Sequence, residues 1–516
     1  MAQKLQFKIP FDVDLEKFLK KNHPQVADFR LISKSLDARG ANRGKKPIVH
    51  YSLEVIGPGE KFLNFKEKCE QKNFQGKPPI IIGAGPAGLF CALRFLEYGI
   101  PTIILERGAP ANERMKHISR HWRYGQFDDE NNVCFGEGGA GLFSDGKLIT
   151  RVKSPFIQYV MNKLVEFGAP EEVAYVSNPH LGSNKIRSLI SKITDSLREN
   201  GHEIRYHSRV EKLIYQANSV VGVELQNGEQ IFSDHVILAA GHSAHEMYDH
   251  LQKNNVAMKQ KDFAVGVRIE HSRRDMDRMQ FGAFAGHENL GTARYRLSYH
   301  DHAKDRGTYS FCMCPGGYVL SSGTNENGIV VNGMSNFARN SPWSNAALVV
   351  TVKAGRDFDP VNLLSGLDFQ RKIEQNAFNL SMKKATGKEI PAQTIEQFLN
   401  NKKSQIKHQK HSCPSGIFAQ ELDELLPEFI IAELKSALAD FDQKIKGFSS
   451  EKGLLLAPET RTSAPVNIVR DKISFVSSSH SGLYPCGEGA GHAGGITSAA
   501  IDGINVAESI VKQLFS

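Results

Sequence analysis

Residues 80–108 read IIIGAGPAGLFCALRFLEYGIPTIILERG, and this stretch decides the fold prediction. The apolar run before Gly83 predicts a buried strand, and the residues that follow Gly88 have helical spacing. The apolar run that ends at Glu106 predicts a second buried strand. Strand, glycine turn, helix and strand together form a β-α-β unit, which places two parallel strands side by side.

The turn from Gly83 to Gly88 gives each of its glycines a separate role. Gly83 permits a tight turn off the strand, Gly85 lets the backbone approach a pyrophosphate, and Gly88 lets the helix pack on the strand. Free N–H groups at the start of the helix attract the same pyrophosphate. Glu106 lies 23 residues after Gly83, close to the roughly 20 expected for a carboxylate that binds a ribose hydroxyl. The sequence therefore predicts a Rossmann-type dinucleotide site.

Two segments far downstream favour FAD over NAD as the dinucleotide. VILAAG (236–241) predicts a buried strand with a glycine turn, and GLYPCGEGAGHAGGITSAAIDG (482–503) places Glu488 in a glycine turn before a helix that begins near Gly495. Such a carboxylate can bind a ribityl hydroxyl, and the helix N-terminus can stabilise a negatively charged reduced flavin. Nothing in the sequence indicates a covalent flavin link, so we expect non-covalent FAD.

The fold class predicted from these patterns is α/β, with a Rossmann-type FAD-binding fold of three layers, β-β-α. An α+β domain for the substrate is expected to interrupt the FAD domain, and a small β-α-β-β module is expected to precede it. Within this division, EIRYHSRVEKLIYQ (203–216) is expected to form one strand. The predicted parts are the N-terminal module at 1–66, the FAD domain at 77–255 and 471–516, and the inserted domain at 256–470 with a helical segment at 361–447.

Composition excludes several classes of protein. The chain has 516 residues, of which 40% are apolar, and no apolar run approaches the roughly 18 residues of a membrane helix. The N-terminus lacks a signal-peptide pattern, so a cytoplasmic protein without membrane contact is expected. Seven scattered cysteines without a C-x-x-C indicate reduced thiols. A net charge of +8 is mild, suits an anionic cofactor or substrate, and does not point to nucleic acid.

Taken together, the motifs resemble those of the bacterial FAD-utilising dehydrogenases, uncharacterised NAD(P)/FAD-dependent oxidoreductases of the glutathione-reductase-type FAD superfamily. The resemblance runs nearly end to end. It is carried by SLDAR (35–39), GAGPAGLF (83–90), GEGGAGLFSDGKL (136–148), NPHLGSNKIR (178–187), GVRIEHS (266–272), FCMCPGGYV (311–319), GMSNFARNS (333–341), LDELLPE (422–428), ETRTSAPV (459–466) and LYPCGEGAGHAGGI (483–496).

The resemblance implies that the segment from Gly138 to Leu148 runs beside the cofactor and that Val210 lies near the adenine. The chain departs from the family's pattern at His492, where a Tyr is expected, and at Asn467, where Arg is usual. The full set of predicted cofactor-binding residues is Gly83, Ala84, Gly85, Pro86, Ala87, Gly88, Glu106, Arg107, Gly138, Gly139, Ala140, Gly141, Ser144, Asp145, Gly146, Lys147, Leu148, Val210, Ala240, Gly241, Gly487, Glu488, Gly494, Gly495 and Ile496.

The sequence assigns no catalytic residue, because a flavin itself carries the electron chemistry. His242 and His492 are candidates for proton transfer near neutral pH, with hydrogen-bonded turn residues as the alternative. Arg461 is a candidate for binding an anionic substrate. If it binds no substrate, Glu459 is its expected structural partner. Only one dinucleotide fingerprint is present, so any NADH or NADPH is expected to reach the flavin transiently.

The cysteines allow two further interpretations. Cys312 and Cys314 are expected to point to one face of an extended strand, as a packed reduced pair or as a redox centre. Cys486 is expected to fill apolar space. His408, His411 and Cys413 have loose metal-like spacing without a fourth ligand, so no metal site is predicted.

The preferred functional interpretation is an FAD-dependent oxidoreductase whose small-molecule substrate enters between the FAD domain and the inserted domain. The alternative is a flavoprotein that binds RNA or a partner protein, with FAD as a structural element or redox sensor. The N-terminal module and a basic segment at 383–410 motivate this alternative. A thiol–disulfide reductase that uses the two cysteines of FCMCPGG is a third possibility.

Overall fold

The computed structural model describes residues 3–62, 69–176, 179–406 and 409–515 of a mixed α/β protein. The first elements are β1 (Gln3–Pro10), α1 (Leu15–Asn22), β2 (Asp28–Asp37) and β3 (Ile48–Ile56). They form an antiparallel sheet in the order β1-β3-β2 with one helix. Helix α1 begins after Asp14, because that carboxylate accepts a hydrogen bond from the N–H of Lys17 at 2.9 Å.

The next stretch of chain alternates short strands with helices. Its elements are β4 (Ile80–Ile82), α2 (Pro86–Glu97), β5 (Ile103–Leu105), α3 (Ala111–Tyr124), α4 (Phe156–Glu166), α5 (Gly182–Glu199), β6 (Glu203–Arg205), β7 (Val210–Gln216), β8 (Ser219–Leu225), β9 (Gln230–Phe232), β10 (Val236–Leu238) and α6 (His245–Lys253).

The middle of the chain is richer in long strands. Its elements are β11 (Met258–Gln260), β12 (Phe263–Ser272), α7 (Arg273–Phe281), β13 (Ser298–Asp301), β14 (Arg306–Cys314), β15 (Tyr318–Ser321), β16 (Val331–Met334), β17 (Trp343–Val352), α8 (Ser365–Lys384), β18 (Ile390–Thr394), α9 (Ile395–Leu399), β19 (Ile417–Ala419), α10 (Glu428–Lys444), β20 (Leu454–Glu459) and β21 (Val466–Ile468). The chain then returns to the first sheet with β22 (Leu483–Pro485) and α11 (Ile496–Phe515).

A parallel sheet in the order β22-β10-β4-β5-β6 forms the centre of three layers. Successive side chains of a strand point to opposite faces, so β4 serves two cores. Ile81 packs with α2, α5 and α11 on one face. Ile80 and Ile82 pack on the other face with the antiparallel sheet β7-β8-β9.

The middle stretch has its own sheet, in the order β13-β14-β17-β12-β20-β18-β19. Helices α8 and α10 share an apolar core with its central strands. The N-terminal module joins this core through Phe11, whose ring centroid lies 5.7 Å from that of Phe284 and 4.7 Å from that of His287. The module therefore packs against this middle part of the chain (258–468), which we call the middle domain. Over the described residues, no helix has both the length and the apolar character needed to cross a membrane.

Two sequence predictions about secondary structure differ from the structure. The segment 361–447 is not only helical, because β18 and β19 lie within it and extend the large sheet. Residues 203–216 do not form one strand. The backbone turns at His207, which has a φ of 53°, so β6 joins the parallel sheet and β7 joins the antiparallel one.

Candidate functional site

A cavity of about 370 Å³ lies at the carboxyl ends of the parallel strands. The turns that follow β4, β5, β10 and β22 all contribute to its lining. In open α/β sheets, ligands bind at this edge of the strands. The lining also includes Ser144 to Lys147 from the loop after α3 and Val210 from the antiparallel sheet.

Most of the predicted cofactor-binding residues come together around this cavity. Those in its lining are Gly83, Gly85, Pro86, Ala87, Glu106, Arg107, Gly139, Ala140, Gly141, Ser144, Asp145, Gly146, Lys147, Val210, Ala240, Gly241, Gly487, Glu488, Gly494, Gly495 and Ile496. Residues as far as 413 positions apart in sequence, Gly83 and Ile496, therefore meet in one place, as the motif order requires.

Four predicted residues lie behind the lining. Ala84 is buried, and its carbonyl accepts a hydrogen bond from the N–H of Gly138 at 2.8 Å. A Cβ on Gly88 would lie 2.0 Å from the carbonyl oxygen of Gly83, so this glycine is needed for packing. Leu148 is buried in the helical core, and its carbonyl accepts a hydrogen bond from Thr497 Oγ1 at 2.8 Å. These residues shape the turns around the cavity without lining it.

Gly85 faces open space in the cavity. A Cβ built on it meets no atom within 4 Å, in contrast to Gly83, whose Cβ would lie 2.5 Å from the carbonyl oxygen of Ala239. Helix α2 begins immediately after Gly85, with Pro86 in its first turn and no side chain capping its N–H groups. An open glycine beside an uncapped helix N-terminus fits a pyrophosphate.

Glu106 lies beside the same turn, and its carboxylate accepts three backbone hydrogen bonds. The N–H of Ala84 donates to Oε2, and those of Gly108 and Gly136 donate to Oε1, each at 2.9 Å. A carboxylate has about four acceptor positions, so one remains for a ribose hydroxyl. The backbone bonds hold Glu106 in the cavity wall.

Glu488 and the start of α11 line the opposite part of the cavity. Glu488 is half-buried, and its carboxylate accepts no hydrogen bond from any residue that the structure describes. Gly494 and Gly495 precede α11, and a Cβ on either would meet nothing within 4 Å. This wall therefore has a carboxylate that accepts no hydrogen bond from the described residues, and glycine backbone that faces open space. Both features fit the hydroxyls and ring edge of a flavin nucleotide.

Other predicted residues are already engaged with the protein. Arg107 pairs with Glu130, with Nε to Oε2 at 2.7 Å, and its guanidinium lies 3.9 Å from the centroid of Phe135. The ammonium of Lys147 donates a hydrogen bond to the carbonyl of Met313. Both side chains hold the lining in place through these contacts.

The pairing expected for Arg461 is wrong. Glu459 pairs with the buried Arg268, with Nε to Oε2 and Nη2 to Oε1 both at 2.8 Å. Arg461 lines the cavity and pairs with Glu374 on α8, with Nη2 to Oε2 at 2.7 Å. Strand β20 ends at Glu459, so Arg461 lies beyond the strand and its side chain need not share the face of Glu459.

The two candidate histidines both have partners. His242 lines the cavity, and its Nε2 lies 3.2 Å from the carbonyl oxygen of Arg461. His492 lies in the neighbouring cleft, where its Nε2 is 2.9 Å from the carbonyl oxygen of Ile468 and its ring contacts Asn467. The two positions that depart from the family's pattern are thus in contact with each other.

The expectation that Cys312 and Cys314 lie on a regularly extended strand is wrong. Cys312 has a φ of 44°, which breaks the regular pairing of β14 with β17. Cys312 is partly exposed and lines the cavity, whereas Cys314 is buried near Arg268. A hydrogen bond from the Cys314 side chain lowers the pKa of Cys312, and the charges of Arg268 and Lys147 lower it further.

The remaining cysteine candidates lie away from the cavity. Cys486 is buried in the helical core, as expected for a residue that fills apolar space. Cys413 is buried in the core of the middle domain, and His408 lies outside the described residues. Among the residues that are described, His, Cys, Asp and Glu side chains form no group of three that could hold a metal ion.

A second and larger space adjoins the first. This cleft, of about 2310 Å³, lies between the N-terminal module, the middle domain and the loops beside the cofactor cavity. The residues that line both spaces are Lys147, Ile149, Phe311, Cys312 and Gly494. The cleft is also lined by His180, Arg294 and Arg339, none of which was predicted to be a site residue. Their segments meet only in the folded chain.

Comparison with known proteins identifies the family. A protein from Clostridium beijerinckii, itself described as uncharacterized, is 38% identical over 513 residues, which cover 96% of this chain and 95% of that protein. The model for the FAD-dependent protein, C-terminal domain-like family matches residues 262–462, and the model for flavin containing amine oxidoreductase matches residues 113–255. The chain belongs to an FAD-utilising protein family. Its cofactor is FAD, and its family is flavin-dependent and oxidoreductase-like.

Solved structures are similar only at a low level. A flavin-dependent brominase is 13% identical, with 85% of this chain and 79% of that chain covered and a TM-score of 0.37. The glycerol-3-phosphate dehydrogenase from Bacillus halodurans, complexed with FAD, is 12% identical, with 85% and 64% covered and a TM-score of 0.33. With TM-scores this low, neither likeness carries an argument.

Proposed function

We propose that this chain is an FAD-dependent oxidoreductase that acts on a small molecule at the junction of the cofactor cavity and the cleft. The observation that carries this proposal is the shared lining of the two spaces, where Cys312 and Lys147 face both. A cofactor enclosed on all sides by protein would suit a structural role. A cofactor cavity that opens into a large cleft suits a reaction with an external molecule.

We assign FAD to the cavity in a Rossmann-type, three-layer fold. Gly85 and the N-terminus of α2 would hold the pyrophosphate, Glu106 the ribose of the adenosine half, and Glu488 a ribityl hydroxyl. The N-terminus of α11 would lie toward the flavin and favour its anionic reduced form. When bound, the flavin supplies the transfer of two electrons or a hydride.

The protein's own contribution is to position the reactants and keep the site ordered. Glu374 fixes the direction of the Arg461 guanidinium in the cavity, and Asp145 fixes that of Arg339 in the cleft, so each space has a cation held at a set point. His242 lies in the cavity lining with the polar tip of its ring near a carbonyl and a hydroxyl. His242 is therefore the residue that we propose for proton transfer.

The alternative role in binding RNA or a partner protein receives little support from the basic segment 383–410. Lys384 donates a hydrogen bond to Gln420 at 2.7 Å, Lys388 lies 3.3 Å from Glu389, and Lys402 lies 2.5 Å from Glu396. These three charges have local partners, which weakens the case for a phosphate-binding surface in the described part of this segment.

Anaerobic stopped-flow absorbance tests the proposal. Purified FAD-loaded protein is mixed with NADH, NADPH and a panel of oxidisable metabolites, and bleaching of the flavin band is followed. Saturable bleaching by one compound, at a rate that supports turnover with an electron acceptor, is the expected result. If no donor reduces the flavin faster than photochemical background, the enzymatic role is rejected in favour of a structural or sensing one.

A further inference from the structure

The cleft beside the cofactor cavity is strongly basic. Eleven Lys and Arg side chains lie among the described residues that line it, against two carboxylates, Asp37 and Glu172. One of these two, Asp37, is already paired with Arg39 at 2.7 Å. A concave surface lined by one sign of charge concentrates its field and attracts ions of the opposite sign. The local excess of nine positive charges is about as large as the +8 of the whole chain, so positive charge is concentrated in the cleft.

Two guanidiniums come together near the junction with the cofactor cavity. Arg294 precedes β13, and Arg339 follows β16 with a left-handed φ of 48°. Arg339 is 6% exposed at its side chain and is held by Asp145 behind it. His180 lies in the same wall, with Nε2 3.0 Å from the carbonyl oxygen of Phe337 and its ring stacked on the Phe337 ring at 5.4 Å. These groups form the floor of the cleft.

The floor brings two guanidiniums close to the buried carboxylate of Asp145, which pairs with Arg339. Desolvation and the nearby charge of Arg339 together lower the pKa of Arg294 to about 10. The Nη1 atom of Arg339 is buried and has no hydrogen-bond partner among the described residues. A buried guanidinium donor without a partner costs free energy, and so does the repulsion between two like charges. An anion at this point would relieve both.

We infer that Arg294 and Arg339 of the floor, together with Lys147, bind an anionic group, a phosphate or a carboxylate, of the molecule that reacts at the flavin. This inference rests on the proposed function and names the chemical class of the substrate. Lys147 lines both spaces, so an anion held there places the rest of the molecule toward the cofactor cavity. Guanidinium groups suit this role because they bind two anion oxygens at once.

Equilibrium titration of the FAD-loaded protein tests the inference without turnover. Inorganic phosphate and succinate are the two probes, and calorimetry at low ionic strength measures their dissociation constants. Arg294→Gln is expected to weaken the tighter probe by about tenfold or more, since a hydrogen bond to a charged group contributes about 1.5–3 kcal/mol. Arg296→Gln is the matched control, because Arg296 is exposed like Arg294 and lines the same cleft two residues away, but is not part of the floor. We expect its effect to be less than about twofold.

The tighter probe identifies the anion as phosphate or carboxylate. A second measurement does not depend on the stability of a variant: phenylglyoxal should modify Arg294 in wild-type protein, and the tighter probe should protect it, as mapped by mass spectrometry. Absence of saturable binding by both probes overturns the inference. Equal weakening by the two variants also overturns it. Tight and salt-dependent binding of a single-stranded oligonucleotide, with no binding of either small anion, overturns it too and would assign the cleft to nucleic acid.

The two proposals fail in different ways. If the anions bind as expected but no metabolite reduces the flavin, the anion site stands and the enzymatic role fails. If an uncharged metabolite reduces the flavin at the same rate in wild-type and Arg294→Gln protein, the enzymatic role stands and the anionic class of the substrate is wrong.

Discussion

Asp145 and Arg339 form a buried ion pair that lies between the two spaces. The carboxylate lines the cofactor cavity, and the guanidinium lines the cleft. Nε of Arg339 donates to Oδ1 of Asp145 at 3.2 Å, Nη2 donates to Oδ2, and Ser335 donates its hydroxyl to the same carboxylate. Side-chain exposures of 1% and 6% leave neither charge to water. Each ion therefore depends on the other.

We predict that Asp145→Asn lowers the free energy of unfolding by about 3–5 kcal/mol, because it leaves the Arg339 charge buried without a counter-ion. Urea unfolding followed by tertiary fluorescence measures the loss. Asp37→Asn is the control, since its partner Arg39 is 90% exposed, and an exposed pair contributes about 1 kcal/mol or less. Equal losses in the two variants would falsify the dependence of Arg339 on Asp145.

The glycines of the first turn provide a second test. We predict that Gly85→Val abolishes FAD binding while the protein stays folded, because the added side chain enters open cavity space and meets no protein atom. FAD released by heat is measured by absorbance, and circular dichroism reports the fold. Gly88→Val is the comparison, and it should destabilise the protein itself, since its Cβ would lie 2.0 Å from a carbonyl oxygen. Full flavin occupancy in Gly85→Val would place the pyrophosphate elsewhere.

The residues that come together around the cavity could be predicted from the sequence because their signals are local. The spacing of Gly83, Gly85 and Gly88 after an apolar strand specifies a turn whose geometry depends on few other residues. The carboxylate Glu106 and the turn around Glu488 follow the same logic, and all of these except Gly88 line the cavity.

Short strands were harder to predict. IPAQT and IFA became β18 and β19 only because β20, more than 30 residues away in sequence, pairs with the first of them.

The floor of the cleft could not be predicted, because it has no sequence signature. His180, Arg294 and Arg339 come from three separate segments that the fold brings together. The same limit explains the wrong partner for Arg461, since Glu374 lies on a helix 87 residues earlier in the chain. The pairing of charged side chains depends on which of them come together after folding, whereas nearness in sequence had favoured Glu459 as the partner of Arg461.

A buried carboxyl group in the middle domain should make stability depend on pH. Burial raises the pKa of Glu270 from 4.5 to about 7, while Ser412 donates hydrogen bonds to it. The folded protein then holds this proton more tightly than the unfolded chain does. Its stabilising effect is complete below pH 4.5 and is lost as the pH rises through about 7.

We predict that, between pH 4.5 and pH 8, wild-type protein loses about 3 kcal/mol of stability relative to Glu270→Gln, which cannot ionise at this position. Urea unfolding of both proteins at the two pH values gives the difference. Because every other titrating group is common to both, a difference that does not change with pH would show that Glu270 ionises normally.

The thiol of Cys312 should be the most reactive of the partly exposed cysteines that line or adjoin the cofactor cavity. A hydrogen bond from Cys314 lowers its pKa, whereas burial raises the pKa of Cys134, which lines the same cavity. The thiolate is the nucleophile, so iodoacetamide at pH 7 should label Cys312 several-fold faster than Cys134. Peptide mapping of FAD-free protein, in which both thiols face the open cavity, measures the two rates. Cys314→Ala removes the donor and should slow the labelling of Cys312, and an unchanged rate would show that the hydrogen bond does not cause the reactivity.

The last prediction concerns Glu488, whose carboxylate lines the cavity and accepts no hydrogen bond from the described residues. If it binds a ribityl hydroxyl, its loss removes one charge-assisted hydrogen bond of about 1.5–3 kcal/mol, so Glu488→Ala should weaken FAD binding by about 10- to 150-fold. Titration of apo-protein with FAD, followed by flavin fluorescence, gives the dissociation constants.

The reduction potential should respond differently, because α11 still presents its N-terminus to the cavity in the Glu488→Ala protein. The helix dipole favours an anionic reduced flavin whether or not the ribityl contact is present. We therefore expect a large change in affinity with a small change in potential. Glu488→Gln is the matched variant, since its amide oxygen can still accept the hydrogen bond, and it should lose much less affinity than Glu488→Ala. An unchanged dissociation constant for Glu488→Ala would make Glu488 a turn residue without a part in binding.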